Sequence, residues 1–216
     1  MMKAIKKAKE PASLLAHRKN SHANYDNYSK KDDLRDSLVK EQGYICCYCM
    51  QRISSNAEKM KIEHHQPQKK YPDLQLDYQN LLASCKGNDG DSKHLPRHCD
   101  TSKGEQEITI NPADKSKNCE TLIKYKNNGL IYSDDPIINR ELNDILNLNT
   151  PILVNNRKAI IDQVKKEIIN IKGKKAGWSF SDIKTQIQKY ESKTNGKYRT
   201  FCQIVIYFLK KRIGEI

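Results

Sequence analysis

Apolar positions follow three regimes along the 216 residues of the chain, and each regime predicts a different kind of structure. The first thirty residues carry weak periodicity, Pro11 and many polar side chains. They read as an extended or partly helical arm that packs through Leu14 and Leu15. From Lys31 to Gln42 the apolar side chains Leu34, Leu38 and Val39 fall on one helical face. Asp32 and Asp33 sit near the favourable N-terminal end, and Gly43 is a natural stop.

The second regime is short and β-like. Tyr44-Ile45 and Met60 to His64 read as brief strands separated by polar residues 54–59, and Asp77 to Cys85 returns toward the second strand. Residues 86–97 form a turn-rich loop, and a short helix is expected to begin near Cys99. The third regime is helical. After Asn111-Pro112 and a polar connection, Gly129 to Tyr132 predicts a strand or hairpin arm, and residues 136–149 look helical. Pro151 then opens a stronger helix with a stripe of Leu153, Ile160, Ile161, Val164, Ile168 and Ile171, ended by Gly173 and Gly177. Ser179 or Ser181 can cap a helix over 180–193. Tyr198 to Arg212 forms a last one with a broad apolar side from Phe201, Cys202, Val205, Ile206, Phe208 and Leu209. No internal repeat is visible. The pattern predicts an α+β, mostly helical protein: an N-terminal arm and helix (1–43), a central module (44–112) and a helical C-terminal region (113–216).

Composition adds a charge. Lys and Arg exceed Asp and Glu by 39 − 26 = +13, an excess suited to partners that carry phosphates, although an abundance of Lys, Asn and Ile also fits a general compositional bias. No apolar run approaches the ~18 residues of a membrane span, and no hydrophobic segment follows the lysine-rich start as a secretory signal requires. Seven cysteines in that setting point to the reducing cytoplasm and to metal ligation rather than disulfides.

Cys46 and Cys49 have the C-x-x-C spacing that lets two thiolates meet one tetrahedral ion, and Cys85 and Cys99 complete a closed, structural four-sulfur zinc site. His98 or His94 can replace one sulfur, and Cys47 is an alternative first ligand. Cys119 and Cys202 read as small core residues.

Between the cysteine pairs stand Glu63-His64-His65-Gln66-Pro67 and Asn80, and the second pair runs into Cys99-Asp100-Thr101-Ser102-Lys103-Gly104. That order resembles the HNH (His-Me finger, or ββα-metal) endonucleases. The resemblance implies a ββα-metal core with a structural zinc knuckle, surrounded by helices. It matches His64 to the general base, with His65 as the competitor one register away. Glu63 and Asp100 match the ligands of a catalytic Mg²⁺ or Mn²⁺, Asn80 the residue that braces the loop and orients the histidine, and Lys103 a contact to the scissile phosphate. Because successive strand residues face opposite ways, Glu63 and His64 need a bend or strand end to serve one site. The chain departs from the usual pattern in the acids at positions 63 and 100, and in the thirteen residues that separate Cys85 from Cys99.

Lys9 to Leu14, Gln42 to Cys49, Cys99 to Gly104 and Leu146-Asn147-Leu148-Asn149 with Leu153 and Arg157 resemble more closely an HNH subfamily. It includes the nuclease subunit of Septu-type anti-phage systems, also found as a retron effector. This implies an endonuclease of antiviral defence acting on DNA, or alternatively on RNA such as transfer RNA, under an ATPase partner of the ABC or SMC-like class. A zinc-stapled nucleic-acid-binding module without catalysis is the non-enzymatic alternative. Arg157, Lys158, Lys165, Lys166, Lys172, Lys174 and Lys175 form a basic stripe suited to phosphates or simply to solvent. The apolar sides of the last helices are either core or a docking surface for the partner.

Overall fold

The computed structural model describes residues 2–90, 94–172 and 179–216, with side-chain detail through Ile168 in the long helix. Helix α1 (Ala12–His17) is one and a half turns inside the N-terminal arm. Leu14 is buried in the core, whereas Leu15 is 43% exposed, because a helix this short presents a single residue inward. The arm is held instead by Met2, Ile5 and Tyr28, all buried. Lys7 adds a buried ion pair with Glu41.

Helix α2 (Lys31–Glu41) buries Leu34, Leu38 and Val39. Gly43 follows with φ +65°, the left-handed value at which a helix can close on glycine without strain. Gln42 then joins this helix to the sheet. Its side-chain amide accepts from the Ala83 backbone N–H at 2.7 Å and donates to the Ala83 and Ile45 carbonyls at 2.8 and 3.0 Å.

Tyr44-Ile45 does not form the expected strand. Tyr44 has φ 61°, and only Ile45 pairs, in an isolated antiparallel bridge to Arg52, because the chain must turn back at once to fold the cysteine knuckle. The true pair is antiparallel: β1 (Met60–His64) against β2 (Leu81–Cys85), in the register Glu63 to Leu82 and His64 to Leu81. Every residue of β2 is buried. Helix α3 (Asp100–Lys103) follows Cys99 and completes a compact strand–strand–helix unit.

Beyond it come α4 (Cys119–Leu122) and a two-residue hairpin, β3 (Lys124–Tyr125) with β4 (Ile131–Tyr132). The stretch expected as one helix over 136–149 divides. Helix α5 (Pro136–Arg140), capped by Asp135, runs into a π-type turn over Glu141–Ile145. The widened turn places the buried Glu141 carboxylate on the backbone N–H groups of Thr109 and Ile110, at 2.7 and 3.0 Å. Helix α6 (Pro151–Lys172) buries Leu153, Ile161, Val164 and Ile168. Helix α7 (Phe180–Glu191) is capped by Ser179, whose hydroxyl accepts from the Asp182 N–H. Helix α8 (Cys202–Arg212) begins four residues later than the pattern suggested. Phe201 sits at a left-handed φ of 53°, and Tyr198 instead bonds to the Gly43 carbonyl.

Buried residues from the arm, the centre and the C-terminal helices fall in one hydrophobic cluster. Phe201, Cys202, Val205, Ile206 and Leu209 belong to it, so that face of α8 is core. Arg157 was expected on a basic surface stripe, yet it is 0% exposed; its place one turn beyond Leu153 puts it on the inner face of α6. Lys158 and Lys166 are exposed. Gly173, Lys174, Lys175 and Gly177, with the side chains of Ile171 and Lys172, lie outside the described residues. Among the described residues, no helix is long and apolar enough to cross a membrane.

Candidate zinc and catalytic centres

The knuckle folds because Cys46 and Gln51 exchange a backbone bond of 2.9 Å and Met50 donates back to the Cys46 carbonyl at 3.1 Å. That turn aims Cys46 and Cys49 inward. Cys85 ends β2 and Cys99 immediately precedes α3, so the ligands arrive from three separate segments. The four sulfurs lie within 4.8 Å of one another and all four residues are buried. Cys49 and Cys85 sulfurs are 3.7 Å apart, and Cys46 and Cys99 sulfurs 3.9 Å. Zinc–sulfur bonds of ~2.3 Å in a tetrahedron require sulfurs about 3.8 Å apart, so the cluster fits a zinc ion.

The donor chemistry agrees. Burial tends to raise the Cys46 thiol, but its cysteine neighbours outweigh this and hold it well below the ordinary range. Cys85 is pushed well up by the Cys46 and Cys49 sulfurs, and Cys99 by burial. Four thiols packed this closely share a negative charge that a divalent cation would neutralise. His98 is an outer partner, with Nδ1 3.2 Å from the Cys99 sulfur. His94 is exposed, and Cys47 lies outside the four-sulfur group, its backbone N–H donating to the Ala83 carbonyl at 3.0 Å.

The second centre lies on β1 and α3. Glu63 is 2% exposed, and its Oε1 accepts from the Tyr48 hydroxyl at 2.7 Å and pairs with the Lys103 ammonium at 2.9 Å. Asp100, at the start of α3, shares a hydrogen bond with Glu63. Burial, then the neighbouring Asp100, pushes the Glu63 carboxyl well above the ordinary carboxylate range. Lys103 pairs with Glu63, and Lys61 Nζ approaches Asp100 at 3.9 Å. The oxygen donors of the two carboxyls fit a hard divalent cation such as Mg²⁺ or Mn²⁺.

His64 is the last residue of β1, one position beyond Glu63. Its ring is half-buried, with Tyr25 edge-on at 4.6 Å between centroids. Nε2 lies 3.0 Å from the Gln75 carbonyl. A carbonyl only accepts, so Nε2 carries the proton and Nδ1 keeps its lone pair. Burial lowers the ring below the ordinary histidine value. His65 faces elsewhere: it is 5% exposed, its Nε2 is 3.3 Å from the Ile110 carbonyl, and burial takes it down to about 4.

Asn80 braces the loop between the strands. Its Oδ1 accepts from the Gln66 N–H at 2.7 Å, and its Nδ2 donates to the Gln66 and Leu74 carbonyls at 3.1 and 3.2 Å. Orientation of the His64 ring comes from Gln75, not from the Asn80 side chain. Lys103, expected at the phosphate, is 1% exposed and donates to the His64 carbonyl at 3.0 Å as well as to Glu63. Its ammonium is consumed inside the protein, as a brace. Lys61 of β1 is the more accessible cation, its Nζ 3.9 Å from Asp100 Oδ2 and 2.8 Å from Asp89 Oδ2.

No protein-family model matches the chain. A stretch of 71 residues is 34% identical to the Septu protein PtuB of Bacillus thuringiensis. This similarity supports a Septu-like relationship. The match covers 31% of this chain and 28% of that relative's length, so the similarity extends over less than a third of each protein.

Tyr48 and Gln75 escaped the sequence reading. Tyr48 stands inside the Cys-Cys-Tyr-Cys motif and could have been noticed there, whereas Gln75 acts through its backbone and leaves no sequence signal.

The Lys103–Glu63 pair carries its own prediction. Lys103→Met is expected to destabilise the fold by about 3–5 kcal/mol near neutral pH, because it leaves a buried carboxylate without its counter-charge. Glu63 already has a raised folded value, so its protonated form is favoured by folding and stability falls as pH rises. The deficit is therefore expected to be larger at pH 8 than at pH 5, which urea denaturation at the two pH values measures.

Proposed function

We propose that this protein is a metal-dependent endonuclease of the HNH type, hydrolysing phosphodiester bonds in DNA as the effector of a Septu-like anti-phage system. The observation that supports it most is the half-buried His64, with Nδ1 left unprotonated by the Gln75 carbonyl, standing at the end of the strand that carries Glu63. A protein that only bound nucleic acid needs neither a tautomer-fixed imidazole nor a buried glutamate beside a second carboxyl.

In this reading His64 Nδ1 takes the proton from the water that attacks phosphorus. Glu63 and Asp100 would hold the divalent cation, which when bound would supply positive charge at the phosphate oxygens. Lys103 and Tyr48 fix the Glu63 carboxylate, and Asn80 holds the loop that carries His64 toward Gln75. Lys61 is the side chain placed to meet a phosphate. Similarity to PtuB and the sequence motifs together favour a place in a defence complex, with an ATPase of the ABC or SMC-like class as controlling partner.

The test incubates the purified protein, alone and with a co-expressed ATPase neighbour, with plasmid DNA and with total transfer RNA in Mg²⁺ or Mn²⁺. Cleavage of plasmid that is lost in His64→Ala supports the proposal. Cleavage of transfer RNA alone reassigns the substrate. No cleavage in any state, with zinc bound and nucleic acid still bound, leaves a binding module. The pH profile adds a second check. A base must be neutral to work, and burial lowers the His64 value, so at saturating metal the rate is expected to rise through an apparent pKa below 6.5 and to be level by pH 7. A midpoint at or above 6.5 removes His64 from the role.

A further inference from the structure

Arg157 is the largest fully buried side chain of the protein. Its Nε donates to the Gly129 carbonyl at 2.5 Å and its Nη2 to Asn149 Oδ1 at 3.0 Å, while Nη1 is buried without a partner. No carboxylate is among these contacts. A guanidinium in such a place is costly, since a buried charge is ordinarily paired.

Its surroundings show where the missing charge lies. Leu146–Asn149 is a single short turn. At one end the Leu146 carbonyl accepts from the backbone N–H of Cys99, a zinc ligand, at 2.8 Å. At the other end Asn149 holds Arg157. The same Asn149 side chain is fixed by the hairpin, accepting from the Ile131 N–H at 3.0 Å and donating to the Ile131 carbonyl at 2.9 Å. Gly129 lets the hairpin come this close to α6: a side chain there would lie 2.4 Å from the Val154 carbonyl. The groups whose negative charge favours the guanidinium are Tyr125, Cys49 and Cys99, set against a burial that takes it down to about 10. Four thiolates around Zn²⁺ would leave a net charge of −2.

We propose that Arg157 is the counter-charge of the tetrathiolate centre, a positioning residue through which helix α6 and the 125–132 hairpin are tied to the metal. Arginine suits the place because its charge persists on burial and its planar fork reaches the Gly129 and Asn149 acceptors at once. Outer partners of this kind strengthen a metal site without touching the ion.

The test is zinc affinity of the full chain, measured by competition with a chromophoric chelator, beside thermal stability. Arg157→Met is expected to bind zinc ~10–100-fold more weakly. Asn149→Ala loosens the anchor but keeps the charge, so at a comparable fall in melting temperature it is expected to lose clearly less zinc affinity than Arg157→Met. Arg157→Lys keeps the charge and is expected to keep most of the affinity. Unchanged zinc affinity in Arg157→Met overturns the proposal, as does an Asn149→Ala variant that loses as much affinity as the methionine. Should Arg157→Met fail to fold, the lysine variant decides: a zinc loss of ~10-fold or more despite the retained charge overturns it.

Discussion

Stripping zinc from the protein is expected to unfold it, not merely to loosen it. The cage gathers the knuckle, the end of β2 and the residue before α3, three segments whose regular structure is short, a two-strand sheet, an isolated bridge and a one-turn helix, cross-linked by the Tyr48–Glu63 and Lys103–Glu63 contacts. Structural zinc contributes roughly 10–16 kcal/mol in small domains of this kind, against a total stability of about 5–15 kcal/mol for a whole domain. Loss of the ion removes most of the margin and leaves sulfurs and Arg157 buried without compensation. Cys49→Ser and Cys85→Ser are expected to do the same. The measurement is circular dichroism melting before and after treatment with a strong chelator, with zinc counted by elemental analysis. A protein that keeps its cooperative melt within a few degrees after losing one equivalent of zinc contradicts the assignment. Cys119→Ser and Cys202→Ser serve as controls, since those thiols are buried outside the four-sulfur group and are pushed up to about 12 by burial.

Much of this arrangement was legible in the chain because it rests on side chains with spacing. C-x-x-C, the Glu-His step at a strand end and the Asp-x-x-Lys turn each declare themselves through residue types that have few other reasons to be adjacent. Helices α2, α6 and α7 were legible for a different reason, a sustained period of apolar positions with a stop or cap at the end. The failures share a cause too. Leu15, Lys103 and Arg157 were each assigned by residue type, an apolar anchor and two surface cations, and in each case the tertiary setting overrode type. A buried Lys or Arg cannot be told from an exposed one in sequence unless its partner is known, and those partners are a carboxylate forty residues away and a turn carbonyl. The 141–145 turn was missed because a single widened turn of five residues is too short to show as a break in the apolar period. The carbonyl that fixes the His64 tautomer belongs to the backbone, on which sequence is silent.

His64→Ala is expected to lower cleavage ~10²–10⁴-fold, the contribution of a positioned general base, with the fold intact. Both halves of that statement come from the same geometry. The ring is half-buried and makes one hydrogen bond, to the Gln75 carbonyl, so its removal costs about 1 kcal/mol of stability. His65→Ala is expected to do the reverse. That ring is 5% exposed and bonded to the Ile110 carbonyl, so its loss opens a cavity and frees a buried acceptor while the chemistry persists in whatever fraction folds. Melting temperature and initial rate measured on the two variants side by side therefore separate neighbours that sequence spacing alone could not. If His65→Ala abolishes cleavage in a fully folded protein while His64→Ala leaves it, the base has been assigned to the wrong ring, and the Gln75 contact is structural. If both variants fold and both cut at the wild-type rate, neither imidazole takes the proton, and Glu63, whose raised carboxyl is the next basic group on the strand, becomes the residue to test.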